Sequence, residues 1–89
     1  MILTFTLVSQ CAGGGHAVIG VSDGARSMNV NVDVDALRAA MTTGAGANPL
    51  QGPHQDLLDL SWPMLRQKAA GVTRAQLRTA LLAGVSVTI

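Results

Sequence analysis

The chain has no Tyr and no Glu, one Cys, one Trp, one Phe and three Pro. Only 12% of its 89 residues are charged, against roughly 25% in an ordinary soluble domain. Each shortage excludes something. Two aromatic residues make no stacking platform for single-stranded nucleic acid. Six basic and five acidic residues are too few for a polybasic binder or a polyacidic mimic of nucleic acid. The lone Cys11 closes no disulfide within the chain, so the fold asks for no oxidising compartment. It reads as a small apolar residue, because no His and Asn or Asp are spaced around it as a nucleophile needs. No run approaches the ~20 apolar residues that cross a bilayer. What the chain does have is apolar bulk, 48% hydrophobic, too much for a disordered tail. At this length the expectation is one domain, residues 1–89, with one core burying roughly 60–65% of the unfolded surface.

The first residues, Met1 to Cys11, invite a lipoprotein-signal reading. They lack a basic start, Thr4 and Thr6 interrupt the apolar run, and Gln10 is too large before a lipidated Cys. The expected location is therefore the cytoplasm where the protein is made, with no membrane role. Residues 2–9 alternate instead: Leu3, Phe5 and Leu7 point one way and Thr4 and Thr6 the other, as in a half-buried strand. Ala12 and three glycines break it. Residues 16–21 read as a second strand. Ser22-Asp23-Gly24-Ala25 is a hairpin turn. Met28, Val30, Val32 and Val34 then alternate with Asn29, Asn31 and Asp33, the clearest period in the chain.

Asp33 or Asp35 caps a short helix over 34–42, with Val34, Leu37, Ala40 and Met41 at helical spacing. Residues 43–53, rich in Gly, Ala and Pro, read as a surface loop or arm carrying contacts. Leu57, Leu58, Leu60 and Leu65 form an apolar helical face. Pro63 divides it, either by starting a fresh helix behind Ser61 or by kinking a single one. The first is preferred: a short helix over 54–60, then a helix over 62–70 that Gly71 stops. Thr73-Arg-Ala-Gln76 is a capping box for a helix to about Ala83. Gly84 ends it, and Val85, Val87 and Ile89 alternate as a last strand. The order β-β-β-α-α-α-β predicts an α+β fold. Three or four mostly antiparallel strands would carry short helices on one face. The terminal strands pair either within the chain or with a neighbouring copy.

The motifs that suggest chemistry fail on spacing. Asn29, Asn31, Asp33 and Asp35 resemble a calcium loop, but the positions that need Gly and Glu hold Val34 and Ala40, or Ala36 and Thr42. The glycines at 13–15, 44 and 46 lack the Lys-Ser/Thr of a phosphate loop and the third Gly of a dinucleotide fingerprint. His16 and His54 have no partners at zinc spacing. The expectation is a non-enzymatic chain with no cofactor and no metal. Charge is sorted along it. Residues 1–61 hold five Asp and two Arg, a net of −3; residues 62–89 hold Arg66, Lys68, Arg74 and Arg78 and no acid, a net of +4. Copies docking acidic end to basic end would use this, as would an anion-binding face. Arg74 and Arg78 are expected to meet Asp23, Asp56 or Asp59 of a neighbour. Trp62 is either a core plug or an interface anchor. The candidate interface is Trp62, Arg66, Arg74, Arg78, Asp56, Asp59 and the arm residues Asn48, Pro49 and Leu50.

The short first strand, the Ser22-Asp23-Gly24 hairpin leading into Asp33-Val-Asp-Ala-Leu37, and the Gly84-Val-Ser-Val-Thr-Ile89 ending resemble small tailed-bacteriophage virion proteins. The likeness covers most of the chain in overall design and includes no specific motif, so it transfers no site residues. It implies a compact structural component for capsid decoration, head completion or a tail module. Such a protein is located in the virion, with copies of itself and other virion proteins as partners, and with neither nucleic acid nor membrane. The other class the sequence admits is a small regulatory or inhibitory binding protein, such as a phage-encoded host-defence inhibitor or an antitoxin-like module.

Overall fold

The computed structural model describes residues 1–10, 15–42, 48–69 and 72–89. Strands β1 (Ile2–Gln10), β2 (His16–Ser22) and β3 (Ser27–Asp33) run as an antiparallel meander. Helices α1 (Val34–Thr42), α2 (Gln55–Ala69) and α3 (Arg74–Ala83) follow, and β4 (Val85–Thr88) closes the chain. The sheet order is β3-β2-β1-β4, with β4 antiparallel to β1. This is the α+β arrangement the alternation predicts. Cys11 and the first two of the three glycines lie outside the described residues, as do residues 43–47 of the expected arm.

The alternating residues face as their period requires. Leu3, Phe5, Leu7, Ala17, Ile19, Val21, Met28, Val30, Val32 and Val87 are all buried on one side of the sheet. The helices cover that side with Val34, Leu37, Met41, Leu57, Leu58, Trp62, Leu65, Leu77 and Leu81. Leu60, expected on the apolar face of its helix, is 61% exposed, because Leu57, Leu58 and Leu65 already fill the buried stripe.

Local hydrogen bonds set the element boundaries. Asp23 Oδ1 accepts from the amides of Ala25 and Arg26 at 2.9 and 2.6 Å, and Gly24 takes φ +94° at the turn. Asp33 Oδ1 accepts from the amides of Asp35 and Ala36, so Asp33 caps α1. Thr73 and Gln76 form both bonds of the capping box at α3. Gly84, again at φ +94°, turns the chain from α3 into β4.

Two expectations are corrected. Pro63 does not begin a fresh helix: α2 runs unbroken from Gln55 to Ala69. Pro63 and Asp59 lie on the exposed side, so the Asp59 carbonyl that loses its proline partner faces water. Ser61, expected as a cap, is buried and donates to the Leu58 carbonyl at 3.1 Å. The second concerns Leu50, expected as a contact residue of the surface loop or arm: residues 48–53 do form a loop, with Gln51 and Pro53 exposed, but Leu50 turns into the core. Leu50 is only 1% exposed. A Cβ on Gly52 would lie 2.9 Å from Met28 Sδ.

Candidate interaction surface

All three helices lie on one face of the sheet, and among the described residues no element covers the other face. Its residues follow from the strand register. Thr4 lies between Ser22 and Ser86; Thr6 faces Gly20, and Gly20 faces Asn29; Ile2 faces Thr88; Val18 faces Asn31; His16 faces Asp33. The Thr4 and Ser86 hydroxyls share a hydrogen bond of 3.0 Å across β1 and β4. The centre of this face is hydroxyl and amide, with no lysine, arginine or carboxylate; Asp33 stands at one end. Ile2 and Val8 add apolar surface, 60% and 59% exposed.

A bulge between Leu7 and Ser9 makes Val8 the extra residue of β1. Val8 leans across the gap at Gly20, where a Cβ would lie 3.0 Å from Val8 Cγ2. The bulge also exchanges the faces of the residues beyond it. Gln10 thereby turns to the helix side, where its Oε1 accepts from Arg78 Nε at 2.6 Å. Alternation alone assigns Gln10 to the open face, and no local signal announces the bulge.

The structure disperses the residues that the sequence nominates for an interface. Trp62, at 6% exposed, and Leu50 belong to the hydrophobic core of the chain. Trp62 thus takes the core-plug alternative, and Leu50 is corrected from a contact residue to a packing residue. Arg74 meets this chain's own Asp35, Nε to Oδ1 at 3.3 Å, and Arg78 meets Gln10. Asp59 Oδ1 accepts from Asn48 Nδ2 and Gln55 Nε2, both at 3.0 Å, and these bonds hold its carboxyl below the usual range. Asn48 Oδ1 also accepts from the Leu50 amide, which fixes the half-buried Pro49 between them. Asp56 is exposed in the first turn of α2, and Arg66 and Lys68 occupy its last turn. That order of acid before base complements the helix dipole, which explains part of the charge sorting within one chain.

Asp23 makes the tightest carboxylate site. Besides its two turn amides it takes Arg26 Nε at 3.3 Å. The amide bonds to Arg26 and Ala25 are the main cause holding its carboxyl below the usual range. Among the described residues no group of three or more His, Cys, Asp or Glu could hold a metal ion. None of the described helices is long and apolar enough to cross a membrane. A shallow, wide-open depression of about 390 Å³ on α3 is lined by Ala75, Gln76, Thr79 and Ala80, which offer no charge and no nucleophile beyond one hydroxyl. No family model, curated protein or solved structure matches this chain.

Proposed function

We propose that this chain is a non-enzymatic structural protein of a homomeric assembly, a tailed-phage virion component that decorates the capsid, completes the head or builds a tail module. The observation that supports this reading most is the bare face of the sheet. It is broad and uncharged at its centre, and it carries exposed Ile2 and Val8. Charge-poor surface with large apolar side chains is the composition of an interface core. The low overall charge of the chain fits the same use, because neighbours in an assembly bury surface that a monomer must keep wetted.

Light scattering across a concentration series tests the homomeric part. Growth of the mass above that of one chain supports the reading; a monomer at the highest concentration favours a small regulatory module with a single foreign partner. Mass spectrometry of purified particles of a phage encoding the chain tests the virion part. Recovery in stoichiometric amount supports it, and absence from the particle overturns it.

A further inference from the structure

We propose that two copies of this chain pair through the outer edge of β3, which pairs with no second strand among the described residues, antiparallel about a two-fold axis at Val30, to make one continuous sheet. This rests on the homomeric reading and names its contact.

The hairpin register determines which groups are free. The Asp23 amide bonds the Arg26 carbonyl at one end, and the Val34 amide bonds the Gly15 carbonyl at 2.8 Å at the other. Bonded pairs alternate along an antiparallel ladder. Met28, Val30 and Val32 therefore turn their main-chain groups to β2, while Ser27, Asn29, Asn31 and Asp33 turn theirs outward. Ser27, Asn29 and Asn31 make no other hydrogen bond among the described residues.

Natural edges of this length are blunted by lysine, proline, a bulge or an inward charge. Over its seven residues β3 has none of these, and its register against β2 is regular throughout. The opposite edge, β4, is four residues long, and such a short edge is protected by length.

The occupant follows from complementarity. Arg26, which also holds Asp23, stands at the start of β3; Asp33 stands at its end, next to Asp35, which Arg74 of the same chain holds. An antiparallel second copy sets each Arg26 beside the other copy's Asp33 and Asp35; a parallel one sets Asp33 against Asp33. Centred on Val30, the pairing places Asn29 opposite the second copy's Asn31, Met28 opposite its Val32 and Ser27 opposite its Asp33. Amide meets amide on the open face and apolar meets apolar on the helix side. The outward groups then form about six main-chain hydrogen bonds. A shift by one residue would set apolar against polar throughout.

Asn29→Pro removes an outward N–H and leaves every bond to β2, which proline tolerates at an edge. Asn31→Lys adds an edge charge without changing the main chain. Both variants are compared with the unaltered chain by sedimentation equilibrium, with circular dichroism as the check on folding. Amide exchange is followed by NMR at low and high concentration. The expected result is a dimer weakened at least about tenfold in each folded variant, roughly 1.4 kcal/mol. Exchange at Ser27, Asn29, Asn31 and Asp33 should slow with concentration, while Met28, Val30 and Val32 stay slow throughout. Undiminished association of a folded variant overturns the edge contact and leaves the homomeric reading standing. A monomeric unaltered chain overturns both. Protection of the edge amides only on adding a different virion protein overturns the second copy as occupant.

Discussion

At the scale of the residue, the informative positions are those whose environment is set by a few neighbours. Asp23 is ionised while it holds two amides and Arg26, so its folded pKa lies below its ordinary value of 3.8. A depressed carboxylate contributes stability that is complete above the unfolded pKa and is lost as pH falls through the folded one. Urea midpoints measured from pH 5 downward should therefore fall below about pH 4, and Asp23→Asn should flatten that fall; an unchanged slope would count against the turn. Asp59 acts in the same direction through Gln55 and Asn48. Trp62 makes a sharper residue-level prediction. As the sole Trp, buried at 6% exposed, it should show blue-shifted emission that moves red on unfolding and does not respond to self-association. An emission change on association would place it at the interface. Gly84 at φ +94° bears the cost of any side chain directly, and Gly84→Ala should lower stability by about 1–2 kcal/mol in chemical denaturation.

At the scale of the element, α2 and α3 show two ways in which local chemistry meets the core. Thr73 satisfies an orphan amide of α3, and Thr73→Ala should cost about 1 kcal/mol by denaturant midpoint. Pro63 works the other way. It removes a bond from the middle of α2 on the exposed side, so Pro63→Ala should raise the thermal midpoint, with a gain of about 1–3 kcal/mol. A loss would mean that the proline sets a bend the core needs. The sequence was legible here to different depths. The period of β3 and the bounds of α1 could be read directly, because each apolar residue recurs at its expected spacing. Pro63 misled, since a proline ends a helix only when nothing else holds the two halves together. Leu57, Leu58, Trp62 and Leu65 lie on both sides of it and all reach the same core, and that shared burial outweighs one missing bond.

At the scale of the whole molecule, β1 is the organising strand. It lies between β2 and β4, and the chain ends bond each other: the Met1 amine donates to the Ile89 carbonyl, and the Ile89 amide donates to the Met1 carbonyl. The terminal strands thus satisfy one another, and among the described strands the longer outer edge is β3, near the middle of the chain. Removing residues 85–89 should strip β1 of one partner and expose Leu3 and Phe5, giving aggregation on dilution from denaturant where the full chain refolds, as turbidity would report. The helices are clasped to each other as well. Arg74 reaches Asp35, and Arg38 Nε donates to the Val72 carbonyl at 3.2 Å, so both bonds tie α1 to α3 or the residues before it. Exposed pairs of this kind contribute little energy, and their value is to set how the helices lie on the sheet.

The sequence by itself determined the α+β class, the hairpin, the inward residues of β3, β4 and β1 as far as Leu7, a cap at Asp33 or Asp35, and the box at Thr73. Each of these is a local pattern, written in residues within a few positions of one another. Only the tertiary structure decided that β1 is central, that Trp62 and Leu50 are core, that Val8 is a bulge sending Gln10 to Arg78, and that Arg74 has a partner in its own chain. Alternation says which face a side chain takes but not which strand lies beside it. Charge order along a chain likewise says nothing about which charges meet. Those choices belong to contacts between residues far apart in sequence, where burial of one shared core sets the neighbours.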